Sequence, residues 1–248
     1  SEKKTEVNGN MPYVSNSNGT SIEIKNLNFK FSDSRQLLEN ISFNISPGTK
    51  VCIMGDGGSG KSILLELISG TLKDFEGIIN VNDLPINNIN QKEFRKNIGV
   101  FYNEQDIFNG TMFDNICMGN ENITANEIMK HAETLQIKEF ISQLPEGLYT
   151  NLQPTGKGLS TIIAKKILLL RAIINAPELL LLDEPFELAG AESSMKICDY
   201  LIALKNTTCL VVSGYIPFAK NADLIIWLEK GKIKHIGHPK QILPIVIS

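Results

Sequence analysis

The chain has 248 residues, a formal net charge of −3 and a pI near 5.7. That length suits one domain with an insertion, or two lobes around a sizeable core. The acidic balance, without a basic block, argues against a nucleic-acid partner. No segment approaches the ~20 apolar residues of a membrane span. The longest candidate, Ile162 to Ile174, is interrupted by Lys165, Lys166 and Arg171. The polar start from Ser1 to Thr20 is not a signal peptide, so the chain itself reads as soluble. Cys52, Cys117, Cys198 and Cys209 show no paired spacing and read as reduced, structural thiols.

In chain order, residues 1–20 are rich in Asn, Ser and Gly without periodicity, which predicts a polar linker or tail. Ile22-Glu23-Ile24, Leu27 to Phe31 and Ile41 to Ile45 alternate apolar with polar, as half-exposed antiparallel strands do. Ser46-Pro47-Gly48 marks a turn, and Gly77 to Val81 gives another short strand. From Thr124 to Leu144 the spacing becomes helical, with Ile128, Ala132, Leu135 and Phe140 at threes and fours. A further helix is predicted from Ser160 to Asn175, where Asn175-Ala176-Pro177 is a stop signal. Leu179 to Leu182 and Cys209 to Val212 are continuous apolar runs, expected of parallel strands covered on both faces. Leu224 to Leu228, Glu229-Lys230-Gly231-Lys232 and Ile233 read as a closing hairpin. The whole is an α/β domain with subdomains and a helical insert.

Two motifs carry chemistry. Gly55 to Ser62 reads GDGGSGKS between the apolar run Val51 to Met54 and the helical run Ile63 to Ile68, which is the phosphate-binding P-loop in its required context. Glycines can take φ > 0, so Gly55, Gly57, Gly58 and Gly60 let successive N–H groups turn inward around phosphate oxygens. The following helix adds the positive end of its dipole. Asp56, Ser59 and Ile63 complete the loop's lining, Lys61 can reach the β- and γ-phosphates, and Ser62 can ligate Mg²⁺. The second motif, Asp183-Glu184-Pro185, follows the leucine run. There Asp183 is placed to hold the Mg²⁺ shell and Glu184 to accept a proton from an attacking water. A solvent-facing strand end is the alternative for that pair.

With these motifs the chain resembles the nucleotide-binding domain of ABC transporters, colinearly from about Ser21 to Leu243. It is most similar to the exporter type, in Ile98-Gly99-Val100, Phe108-Asn109-Gly110-Thr111, Asp114-Asn115-Ile116 and Leu144-Pro145-Glu146-Gly147. The resemblance implies a P-loop NTPase (RecA-like) core with an antiparallel β subdomain and a helical subdomain. Its expected divisions are a tail (1–20), the β subdomain with the P-loop part of the core (21–103), the helical subdomain (104–178) and the rest of the core (179–248). It implies ATP and Mg²⁺ as ligands, with Glu184 and Lys61 catalytic and Ser62 and Asp183 holding the metal. Phe31 falls where the family stacks an aromatic ring on adenine, with core filling as the alternative. The Q-loop residue aligns with Asn103, or with Gln105 if there is a local deletion.

Against the family's pattern, several motifs are altered. Leu159-Ser160-Thr161-Ile162-Ile163 stands where the signature helix opens LSGGQ, so β-branched side chains replace glycines at a close phosphate approach. Ser160 can still cap that helix. Glu187-Leu188-Ala189-Gly190 lacks the aspartate of the following loop, and Gly214 occupies the slot of the switch histidine. His235 and His238 read as loop residues rather than metal ligands. Because family members pair head to tail, the half that serves this chain's own nucleotide is kept and the half that serves the partner's is eroded. The resemblance thus implies an exporter ATPase domain at the cytoplasmic face of a membrane, with impaired hydrolysis. Its partners would be a transmembrane domain on the same polypeptide and a second ABC domain, including a non-identical one with an intact signature. The alternatives are a nearly inactive regulatory subunit of a heterodimer and a soluble, non-transport ABC ATPase.

Overall fold

A computed structural model describes residues 9–31, 36–102, 105–188 and 190–247. In chain order the strands are β1 (Ile22–Phe29), β2 (Leu38–Ile45), β3 (Lys50–Gly55), β4 (Glu76–Val81), β5 (Leu84–Pro85), β6 (Ile98–Phe101), β7 (Gly110–Thr111), β8 (Asn151–Leu152), β9 (Leu179–Asp183), β10 (Thr208–Val212), β11 (Leu224–Glu229) and β12 (Lys232–Gly237). The helices are α1 (Lys61–Ile68), α2 (Gln91–Asn97), α3 (Met112–Cys117), α4 (Ala125–Thr134), α5 (Lys138–Gln143), α6 (Thr161–Ile173), α7 (Ala191–Ala203), α8 (Ile216–Asn221) and α9 (Pro239–Val246).

A six-stranded sheet in the order β12-β11-β3-β10-β9-β6 forms the centre. Strands β11, β3, β10, β9 and β6 run parallel, and β12 closes the edge antiparallel to β11. The apolar runs explain this sheet directly. Val51 and Ile53 of β3, Leu179 and Leu181 of β9, and Leu210 and Val212 of β10 enter one core with the β subdomain and α1. Their alternates, Cys52 and Met54, Leu180 and Leu182, and Cys209 and Val211, enter a second core with the helical subdomain. A period of two with both faces buried is what a central parallel strand requires. The four cysteines are buried and unpaired.

The β subdomain is a four-stranded antiparallel sheet, β2-β1-β4-β5. Two predicted segments at residues 22–31 merge here into β1, whose register shifts after Ile24 around Asn26 at φ 48°. Phe31 lies beyond the strand. The helical subdomain holds α3 to α6 and the β7–β8 pair. Its predicted continuous helix over residues 124–144 is instead broken into α4 and α5. Gln136 turns at φ 56°, which lets Leu135 and Ile137 both point into the core, a pattern no unbroken helix allows. Thr124 and Glu127 form a reciprocal capping box at the start of α4. His235 lies on β12, not in a loop, and the His238 ring accepts the Lys240 N–H at the start of α9.

The N-terminal segment differs most from expectation. From Met11 onward it is strapped onto the domain. Met11 exchanges backbone hydrogen bonds with Asn88 and Asn90, and the Tyr13 N–H donates to Glu93. Glu178, the residue before β9, accepts from the Tyr13 hydroxyl (2.9 Å), the Asn16 N–H (3.0 Å) and the Ser15 hydroxyl. Thr208, which opens β10, donates to the Thr20 carbonyl at 2.6 Å. Removing the shared acceptor with Glu178→Ala is expected to destabilise the domain by about 1–3 kcal/mol in urea unfolding. Limited proteolysis of the same variant should cut ahead of Thr20 earlier than in the parent protein.

Candidate functional site

The two motifs meet at the C-terminal edge of the parallel sheet, where ligands of open α/β folds bind. Strand β10 lies between β3 and β9, with Val212 in register with both Ile53 and Asp183. The glycine loop leaves β3 on one side, and Asp183-Glu184 leaves β9 on the other.

Backbone geometry shapes the loop. Gly55, Gly58 and Gly60 have φ of 140°, 74° and 97°, which L side chains rarely adopt. Gly60 is also the N-cap of α1, and no side chain caps that helix. The first-turn N–H groups of α1 are thereby left to a ligand, with the positive end of the helix dipole behind them. A Cβ built on Gly57 or Gly58 meets nothing within 4 Å, so both positions border open space. Gly55 is the opposite case, since its Cβ would lie 1.9 Å from the Leu228 carbonyl oxygen. The Lys61 ammonium sits inside this loop, donating to the Gly55 carbonyl at 2.8 Å and the Asp56 carbonyl at 2.7 Å.

Across from it, the Ser62 hydroxyl at the start of α1 stands near the Asp183 carboxylate. Burial pushes the Asp183 carboxyl up, and the Ser62 hydroxyl and the Lys61 charge offset it only in part. A hydroxyl and a desolvated carboxylate near each other are hard oxygen donors of the kind Mg²⁺ takes alongside phosphate oxygens. Among the described residues no group of three or more His, Cys, Asp or Glu could hold a metal ion. Glu184 follows at φ 51°, its N–H bonded to the Val212 carbonyl at 2.9 Å. Burial raises its pKa, the nearby Ser213 hydroxyl lowers it, and the charges of Glu187 and Asp183 raise it.

The remaining expected residues divide. Phe31 is 46% exposed and packs edge-on against Phe29 with ring centroids 5.0 Å apart, leaving surface for a stacked base. Asn103 and Ala189 lie outside the described residues. Gln105 turns back onto its own strand, accepting from the Tyr102 N–H and donating to the Val100 carbonyl, away from the loop. Ser160 caps α6 by accepting the Ile163 N–H at 3.2 Å, as its position predicts. Ile162, the second residue of that helix, is 48% exposed, and a Cβ on Gly214 would meet nothing within 4 Å. Ser213 is a site residue that sequence reasoning passed over, because a lone serine carries no pattern.

Together the sheet order, the glycine loop between β3 and α1, and the acidic end of β9 define a P-loop nucleotide-binding fold. The sequence model described as ABC transporter matches residues 38–187, and the chain belongs to that family. It is 33% identical over 223 residues to the Bacillus subtilis ABC transporter ATP-binding protein YfiB, covering 90% of this chain and 39% of that protein. It is 30% identical over 223 residues to ATP-binding cassette sub-family B member 6 of Xenopus tropicalis, covering 90% of this chain and 26% of that one. This chain therefore spans well under half the length of these relatives. In structure it is similar to a bacterial Atm1-family ABC exporter with ATP bound, at a TM-score of 0.87 and 24% identity over 96% of this chain and 42% of that one. The chain thus corresponds to the ATP-binding part of those ABC transporter relatives.

Two predictions follow from the site's geometry and charge. Gly55→Ala, whose methyl meets the Leu228 carbonyl, should lose more than about 2 kcal/mol in urea unfolding, whereas Gly57→Ala should stay within about 0.5 kcal/mol of the parent. The second concerns Glu184, a carboxyl whose folded-state pKa is raised, so its ionised form opposes folding above that pKa. Glu184→Gln should therefore raise the thermal midpoint of the nucleotide-free domain at neutral pH. That gain should fade as pH falls toward the ordinary glutamate value of about 4.3.

Proposed function

We propose that this domain binds Mg-ATP in cis and supplies one half of the ATPase pair of an ABC exporter, with slow turnover when isolated. The observation that carries the reading is the joint geometry of Lys61 inside the glycine loop and Ser62 against Asp183, with open space at Gly214. On binding, Lys61 exchanges the Gly55 and Asp56 carbonyls for the β- and γ-phosphate oxygens. Ser62 and Asp183 hold Mg²⁺, which when bound neutralises charge developing on the phosphoryl oxygens. Glu184 accepts the proton of the attacking water. Phe31 stacks on the base, and Asn103 fills the Q-loop role, a reading favoured by the inward turn of Gln105. The divisions at residues 21–103, 104–178 and 179–248 then act as base-binding, signature-presenting and catalytic parts.

Slow turnover has two sources in this reading. Gly214 contributes no side chain to the reacting phosphate, and loss of one such group commonly lowers rate by ~10²- to 10⁴-fold. Thr161 and the exposed Ile162 stand at the tip of α6 where a partner's nucleotide would approach. That exposure favours a heterodimeric assembly in which a second ABC domain carries an intact signature, this chain being the weaker or regulatory half. The transmembrane domain, on the same polypeptide, would place the domain at the cytoplasmic face of the membrane. Among the described residues no helix is long and apolar enough to cross one.

A purified-domain assay tests the reading. The parent should bind a fluorescent ATP analogue with Mg²⁺ and hydrolyse ATP weakly. Gly214→His, for which there is room, should raise turnover at least about tenfold, and Glu184→Gln should abolish the residue of activity while keeping binding. Vigorous hydrolysis by the unmodified domain would sink the impaired reading.

A further inference from the structure

We propose that the cleft between α4 and the N-terminal edge of the central sheet binds an amphiphilic organic carboxylate, an apolar body with one anionic head. The cleft encloses about 590 Å³, the size of a small-molecule site. It lies at the starts of β9 and β10, the opposite end of these strands from the glycine loop. Ile173, Pro177, Leu180 and Leu204 give it an apolar wall. His131 of α4 and Tyr200 of α7 meet at it with their rings edge-to-face, centroids 5.9 Å apart and the Tyr200 hydroxyl 3.4 Å from His131 Nδ1. The walls are preformed. The Ala176 N–H donates to the Ile173 carbonyl at 3.1 Å, and the Thr207 hydroxyl donates to the Pro177 carbonyl at 2.9 Å, tying the two bordering loops together. Ala176 and Asn206 on the rim take φ of 44° and 59°, a left-handed conformation that asparagine tolerates better than alanine. Held strain of this kind collects at ligand sites.

Charge selects the head of the ligand. Lys130 and Lys205 line the cleft, and no Asp or Glu does. Among the described residues neither ammonium has a carboxylate partner. The acids of the flanking helices are engaged elsewhere: Glu133 with Lys138, Glu192 with Lys196, and Glu127 with the N–H and hydroxyl of Thr124. Asp199, beside Tyr200 on α7, is exposed and lies outside the cleft. Burial and the Lys130 charge hold the His131 pKa below its ordinary value, so at neutral pH the ring is an uncharged hydrogen-bonding group. Two unmatched cations beside an apolar wall call for one ligand that satisfies both. An inorganic anion would leave the wall wet, and a neutral chain would leave the cations unmatched. The cations come from both sides, Lys130 from the helical subdomain and Lys205 from the core, so a bound carboxylate would tie the two together.

Calorimetric titration of the full 248-residue chain with octanoate, octanol, octylammonium and inorganic phosphate tests the proposal. Octanoate should bind at least about tenfold more tightly than octanol or phosphate, the scale of one hydrogen bond between charged groups, and octylammonium should not bind. Replacing both exposed lysines, Lys130→Ala with Lys205→Ala, should weaken octanoate about tenfold or more, to the level of octanol, with the thermal midpoint unchanged. Thr134→Trp, on the α4 side of the cleft, should block octanoate and octanol alike. Saturating Mg-ATP should leave octanoate binding as it was, because the glycine loop lies at the other end of the sheet. Absence of octanoate binding would overturn the proposal, as would equal binding of octanoate and octanol. Octanoate binding that survives the double lysine change, or that Mg-ATP competes away, would also overturn it.

Discussion

Burial of β3, β10 and β9 on both faces is the constraint on which everything else depends. A strand covered on one face could slide by one residue only by exposing its apolar set, and a strand apolar on both faces is held in register by the close fit of its side chains into two cores. Val51 to Met54, Leu179 to Leu182 and Cys209 to Val212 are locked between two cores. Their C-terminal ends therefore emerge at fixed heights, and the loop, the two acids and Ser213 inherit that alignment. No contact within the site has to be strong for the site to be accurate.

The central sheet was legible because its strands are continuous apolar runs, and the P-loop because its glycines and Lys-Ser sit between a strand and a helix. The acidic pair was legible from its place at the end of Leu179 to Leu182. Other parts were not, for identifiable reasons. The ordering of residues 11–20 comes from Asn88, Asn90 and Glu93 and from the still more distant Glu178 and Thr208. Composition near Tyr13 carries no trace of those partners. The break between α4 and α5 depends on Leu135 and Ile137 both being drawn inward, while the preceding spacing fits an unbroken helix. Helix α2 did carry a local signal, Asn90 capping with Glu93 in the first turn, and α7 carried Ile197, Cys198 and Leu201 on one face.

The two sides of the nucleotide chemistry differ in how they are built. Groups that face this chain's own loop are set by the sheet and by α1, elements that cannot change without unsettling a core. Groups that would face a partner's nucleotide lie at the tip of α6, where Ile162 touches little and can vary at small cost in stability. A substitution in the second set therefore costs the fold less than one in the first. A domain can keep its fold and its ligand while losing its use to a neighbour.

The Lys61 ammonium is bonded to the Gly55 and Asp56 carbonyls of the loop it belongs to. A loop of inward-turned N–H groups is a concentration of positive potential, and a lysine within it would be expected to repel itself outward. Two carbonyl oxygens of the same loop hold it in place, so the loop acts as its own temporary counter-ion. An arriving triphosphate would have to exchange with these internal bonds. Its net gain would be the difference between two satisfied states, smaller than the number of contacts alone would imply.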